Sequence, residues 1–311
     1  MLDGVPKAVF SLLAGNARLA RVASRYGMRR PGSFARRFVA GETIEEAIDA
    51  ARTLESQGLT TTLDLLGEGV HSLAGALEAT SAYVGLIEAV AQSGITRNIS
   101  IKLTQLGLEV DRATTIDNLR RLLDAASRTG FFVRIDMESS AHTSATLDVL
   151  ETVWGMGYRD VGVVIQSYLK RSPQDVQRLI ALGVRVRLVK GAYREPPAVA
   201  LQRKTDVDAA FIELMRLLLV DGVYPAIATH DPAMIAETRR FAHDRRIAPH
   251  TFEFQLLYGI RRDLQASLVR DGHRVRIYVP FGRDWFPYFM RRLGERPANV
   301  GFVLRSVLSE R

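Results

Sequence analysis

Eight short runs rich in β-branched and other apolar residues recur after residue 59: "TTTLDLLG", "RNISIKL", "FFVRIDM", "VGVVIQ", "VRVRLVKG", "YPAIATH", "HTFEFQLL" and "VRIYVPFG". Helix-length segments with amphipathic spacing separate them, such as "TTIDNLRRLLDAASRTG" and "DVDAAFIELMRLLLVDG". These segments often end in glycine, as helix C-termini do. A doubly wound sheet also alternates strand and helix, but eight regular units in about 250 residues fit a (β/α)8 barrel of the TIM type best. "GETIEEAIDAARTLESQG" then predicts a helix packed before or beneath the first strand. No low-complexity linker divides the region, so residues 41–311 read as one barrel domain behind an N-terminal helical arm, residues 1–40.

In such a barrel the loops that follow the strands converge on one face, and active sites form there. Polar residues of this chain collect at those ends: Asp64 and Glu68, Lys102, Asp136 and Glu138, Gln166, Arg187 and Lys190, Thr229 and His230, Glu253 and Gln255, and Tyr278. A strand end that merely meets solvent is polar too; concurrence on all eight units is what carries weight. Beyond the last strand, "YFMRRLGE" sets Tyr288, Arg291, Arg292 and Glu295 at offsets that repeat one helical face. Pro287 suits only a first turn and Asp284 suits a cap, so the helix is expected to start near Asp284 and reach Gly294 or beyond. Adjacent arginines suit a carboxylate or a phosphate, whose oxygens guanidinium groups bind bidentately. A surface salt-bridge network with Glu295 is the competing reading.

Several chemistries drop out. The chain has no cysteine, which removes disulfides and thiolates, and its six histidines form no HxxxH-type pair, so no dedicated metal site is expected. No run approaches the roughly 20 apolar residues of a membrane span, and "VFSLLAG" is too short for a signal peptide, so a cytoplasmic protein is expected. The formal charge of +8 is concentrated in residues 1–40, where Lys7 and seven arginines face Asp3 alone. With its apolar helical faces that arm suits an anionic membrane surface, and a solvated arm docked on the main domain suits it equally. Nucleic acid is not expected, because aromatic residues are too sparse for base stacking. "LGEGVHS" has serine where a dinucleotide loop needs its third glycine. Lys102, Lys170 or Lys190 could serve a Schiff-base aldolase, and a basic-armed membrane or nucleic-acid binding module around an inert barrel is the non-enzyme alternative. Asp136 and Glu138 share one strand face, whereas glycosidase carboxylates normally come from different strands.

Together, "SIKLTQLG", "RIDMES", "VIQSYLKR", "RLVKGAYRE", "ATHD", "EFQLLYG" and "RIYVPFGRDWFPYFMRRLGE" closely resemble the proline dehydrogenase family, in the expected order from residue 60 onward. The resemblance implies a monofunctional flavoenzyme barrel that oxidises L-proline to Δ1-pyrroline-5-carboxylate using FAD. It implies a membrane quinone as electron acceptor, which gives the basic arm a purpose, and a separate pyrroline-5-carboxylate dehydrogenase acting next. Arg291 and Arg292 would grip the proline carboxylate with Lys102 adding charge, while Tyr193, Tyr278 and Tyr288 wall the ring. Arg187 would stabilise the reduced flavin, and Asp136 would balance the cations or assist removal of the amine proton. Met137, Gln166, Lys190, Gly191, Ala192, Thr229 and His230 match the family's cofactor contacts. Arg194 follows "GAY" where some bifunctional members carry tryptophan.

Overall fold

The computed structural model describes Met28, residues 33–67 and residues 69–295 of the chain. Most of the expected arm, Glu68 and residues 296–311 lie outside the described residues. Helix α1 (Ile44–Glu55) precedes the first strand and begins with a capping box: Thr43 accepts from the Glu46 backbone while the Glu46 carboxylate accepts from the Thr43 backbone. Then come β1 (Thr60–Leu65), α2 (Leu73–Ser93), β2 (Asn98–Ile101), α3 (Arg112–Thr129), β3 (Phe132–Ile135), α4 (Ser140–Gly155) and β4 (Val161–Gln166). The second half repeats the unit with α5 (Ser172–Leu182), β5 (Arg185–Val189), α6 (Lys204–Asp221), β6 (Ala226–Ala228), α7 (Pro232–Asp244), β7 (Glu253–Leu257), α8 (Arg262–Arg270) and β8 (Val275–Phe281). Every strand pairs parallel with its neighbour, and β8 closes onto β1, so the sheet is the eight-stranded barrel expected.

Helix α2 departs from one expectation. It is long and apolar enough, by length and composition, to cross a membrane. In the fold it buries Tyr83, Leu86, Ile87 and Val90 against the barrel wall, as an outer-ring helix does.

Alternate residues of each strand point into a barrel. The usual filling is layers of Val, Ile and Leu. Here Asp64, Arg134, Arg187, Glu253 and Arg276 are buried instead. Room for them comes from small neighbours: a Cβ on Gly162 would stand 2.7 Å from the Arg134 guanidinium and 2.5 Å from the Arg185 carbonyl. Arg134 and Arg185 each lie over the Phe132 ring, at 4.8 and 5.0 Å, plugging the end where the strands begin.

The last helix, α9 (Trp285–Glu295), holds Pro287 in its first turn as the sequence required. Its apolar side meets residues at the end of the expected arm: Ala35, Phe38 and Val39 join Trp285, Phe286 and Phe289 in a second small core. The Ala40 amide donates to the Pro280 carbonyl at 2.9 Å and the Trp285 indole to Glu42 at 3.0 Å. Residues 33–40 are therefore fastened to the last strand and helix.

Candidate active site

Where the strands end, a cavity of about 440 Å³ opens, within the usual range for small-molecule sites. Thirteen of the fifteen residues singled out from the sequence line it: Lys102, Asp136, Met137, Gln166, Arg187, Lys190, Gly191, Ala192, Tyr193, Thr229, His230, Tyr278 and Arg292. Arg291 faces a smaller adjoining cavity of about 230 Å³, which shares Lys102 and Tyr193 with the main one. Tyr288 lines neither of these two; it is buried on α9 with the Arg292 guanidinium 5.3 Å over its ring. Consecutive helical residues diverge by about 100°, so the two arginines serve two adjoining walls and not one face.

Asp136 is the hub of the charged wall. One of its oxygens accepts from Arg187 at 2.8 Å and the other from the Tyr278 hydroxyl at 2.7 Å. Lys102 stands 3.7 Å from it and donates to Asp64 at 2.9 Å. Arg187 also donates to Ser100 at 3.1 Å and lies over the Tyr278 ring at 5.4 Å, so its guanidinium is fixed from three sides. Burial alone would lower the Lys102 ammonium, but the Asp64 and Asp136 carboxylates more than offset it and hold it above its ordinary value. Burial, and then the Asp136 charge, push the Tyr278 hydroxyl well up, so it stays a donor at any physiological pH. A lysine held charged in this way is a poor amine nucleophile, which counts against the Schiff-base alternative at this residue.

The opposite wall is built from the ends of β4, β5 and β6. Gln166 donates to the Glu138 carbonyl at 3.2 Å while its own carbonyl oxygen is buried with no partner among the described residues. Lys190 is held by Asp208 at 2.5 Å and Asp231 at 2.6 Å, with Lys204 on the same two carboxylates. Two lysines balance two aspartates, so Lys190 reaches the cavity as a directed N–H and not as surplus charge. Gly191 adopts φ +112°, a conformation that favours glycine, and a Cβ there would stand 2.3 Å from the Tyr168 ring. His230 accepts from the Leu257 amide through Nε2 at 2.9 Å, which places the proton of its neutral ring on Nδ1. Asp231 caps α7 through Ala233 at 3.0 Å and donates its own amide to Thr229 at 3.1 Å, which sets the turn carrying Thr229 and His230.

Sequence reasoning passed over the apolar part of the wall: Val164, Val189, Ala228, Leu256 and Leu257. The signal was available for Val164, Val189 and Leu257, since each stands two residues from an inward polar residue on its own strand. Gln255 reads in the sequence only as a polar strand end; it lines the cavity and its carbonyl oxygen is buried with no partner among the described residues. Tyr83, buried on α2 and donating to Gln105 at 2.7 Å, carried no mark in the sequence.

A family model described as Proline dehydrogenase matches residues 47–305. Among curated proteins, Proline dehydrogenase 1 of Bacillus subtilis is 41% identical over 302 residues, covering 97% of this chain and 99% of that protein. Proline dehydrogenase of Deinococcus radiodurans is 44% identical over 280 residues, covering 89% and 90%. Among solved structures, proline utilization A from Bdellovibrio bacteriovorus superposes with a TM-score of 0.80 at 27% identity. The match covers 92% of this chain and 36% of that one, so this chain spans about a third of the longer protein.

Proposed function

This chain belongs to the proline dehydrogenase family, an FAD-dependent class of oxidoreductase, and we propose on that premise how its cavity oxidises L-proline to Δ1-pyrroline-5-carboxylate. Among the described residues lining the main cavity, Asp136 is the single acid, set among Lys102, Arg187 and Arg292. A zwitterionic amino acid needs that asymmetry, and this observation carries the reading. Arg292 and Arg291 take the substrate carboxylate from the two adjoining walls, with the Lys102 ammonium between them. Tyr193 and Tyr278 wall the ring, and Tyr288 supports Arg292 from behind. Asp136 faces the positive charge on the ring nitrogen and keeps Arg187 and Tyr278 in place.

The residues present fit a flavin. Its ring edge offers both a donor and acceptors, and the cavity wall presents buried atoms that no described residue meets: the Gln166 and Gln255 carbonyl oxygens and the Arg187 Nε. Met137, Gln166, Lys190, Gly191, Ala192, Thr229 and His230 would hold it, the open backbone at Gly191 permitting close approach. When bound, FAD would supply the acceptor for the hydride that leaves C5 of proline. The amine proton departs to solvent and the C5=N bond forms. Arg187 places positive charge where electron density builds, an effect that acts on the reaction more than on binding. Orientation of a small substrate against the cofactor is the protein's main contribution.

The basic arm suits electron delivery to a membrane quinone through peripheral contact from the cytoplasmic side, and a separate dehydrogenase would consume the product. Deleting residues 1–30 is expected to lower vesicle binding and quinone-linked turnover while proline still reduces the flavin. Equal vesicle binding by both forms would remove the membrane role. The central test is the absorption spectrum of the purified protein under argon: a flavin band that bleaches on adding L-proline. A flavin band that proline leaves unchanged would overturn the substrate assignment, and Arg187→Met is expected to slow bleaching about 100-fold at saturating proline.

A further inference from the structure

Asp64 is buried beside the chemistry, yet the roles above do not use it. It sits on β1 with 0% exposure, and β1 runs beside β2, which leads to Lys102. One of its oxygens accepts from Lys102 at 2.9 Å; the other is buried with no hydrogen-bond partner among the described residues. It caps no helix. A carboxylate buried with one partner and one bare oxygen is costly, and an apolar or amide side chain of similar size would fold at least as well. Lys102 is 3.7 Å from Asp136, beyond hydrogen-bond reach, so Asp64 is its direct partner and two of its three N–H groups remain.

We propose that Asp64 is a positioning residue: it anchors the Lys102 ammonium, in its charged form, on the wall shared by the two cavities, so that Lys102 can take the substrate carboxylate while Asp136 is left to the ring nitrogen. This rests on the proline reading of the cavity. The groups favouring charge on Lys102 are Asp64 on β1 and Asp136 and Glu138 after β3, while burial keeps the Tyr83 hydroxyl on α2 neutral. Arg187 on β5 and Arg291 and Arg292 on α9 line the same two cavities and oppose it; Tyr278 on β8 is neutral. Against those three cations, the near carboxylate at 2.9 Å is the one best placed to keep Lys102 protonated. Removing the Asp64 charge lowers the pH at which Lys102 gives up its proton.

The test is calorimetric titration of the holoenzyme with a non-reactive proline analogue, in which an oxygen replaces the ring nitrogen, from about pH 7 to 10. Asp64→Asn keeps the shape and the acceptor. It is expected to bring an alkaline limb into the affinity profile at lower pH than in the wild type, and binding along that limb should weaken roughly tenfold as the proton concentration falls tenfold. Lys102→Met is expected to weaken binding with no such limb. Adding Asp64→Asn to Lys102→Met should change affinity by less than about twofold, since two residues acting as one unit are not additive. It should also restore thermal stability lost when Asp64 is left unpaired. An Asp64→Asn profile that superposes on the wild type overturns the proposal, as does full additivity in the double variant. Failure of the wild type to bind the analogue overturns the reading of the cavity on which it rests, and the proposal with it.

Discussion

Near the start of the strands, Arg134 donates to the carbonyls of Val163 and Arg185, and Arg276 donates to Glu253 and to the Thr61 carbonyl. Among the described residues, none of these three side chains has a buried atom left without a partner. Two residues further along the same strands, Asp136 and Tyr278 belong to the wall that also holds Asp64, Gln166, Arg187 and Gln255, each with a buried polar atom that no described residue meets. Both ends bury charge. One uses its hydrogen bonds internally and plugs the barrel; the other keeps some open. Buried charge by itself therefore does not mark a site. Incomplete satisfaction around a cavity does, because desolvated groups without partners are costly unless a ligand completes them.

Each expected outcome below strains that contrast at a different point. Glu253→Gln should be the most damaging, because it leaves Arg276 and Arg134 buried without their carboxylate; about 3–5 kcal/mol of stability should be lost in urea unfolding. A loss below about 1 kcal/mol would mean that the lower network is not held by its ion pair. Arg292→Met should raise KM for proline by about 2–5 kcal/mol in free energy, with flavin content and urea midpoint near wild type. A fall in stability of similar size would make Arg292 part of the closed kind of network. Gly191→Ala should cost about 1–3 kcal/mol, since a side chain there meets both the φ of +112° and the Tyr168 ring, and the loss should appear as weaker flavin retention.

The smallest effect concerns pH. Burial alone would raise Asp208 and Asp231, but hydrogen bonds from Lys190 and Lys204 to Asp208, and from Lys190 and the Ala233 amide to Asp231, lower both below the usual carboxylate range. Groups depressed in the fold contribute stability above their unfolded value and lose it as pH falls through the folded one. Asp231→Asn should thus flatten the acid limb of stability below about pH 4, by less than about 1 kcal/mol because the cluster is partly exposed. An unchanged acid limb would separate Lys190 from this pair.

The barrel was legible because strand periodicity, helix-length spacers and closing glycines all point one way. Most of the cavity was legible because its polar residues stand at strand ends, which the fold gathers. Other features were not. Adjacent Arg291 and Arg292 read as one fork, but helix geometry turns them onto two walls. The apolar composition of α2 hides its buried role, since a barrel helix and a membrane span satisfy the same hydropathy pattern. Arg134 and Arg276 lie inside apolar strands, where an arginine looks like an outward, solvated residue until Gly162 is seen to make room for it. Asp64 showed its position but not its single partner, because pairing across strands depends on barrel register.

Closure of the barrel also bears on how the chain comes off the ribosome. Thr61 and Arg276, joined in the finished molecule, are 215 residues apart. At usual elongation rates the first strand waits about 10–40 s for its partner to be synthesised, with one edge unpaired meanwhile. Of the cavity residues, Tyr278, Arg291 and Arg292 emerge latest, after the strand that seals that edge or together with it. A chain interrupted before β8 is therefore not a slow version of the protein. It is an open sheet with two exposed edges, a template for pairing with other chains, and neither substrate nor cofactor would find enough of the wall to rescue it.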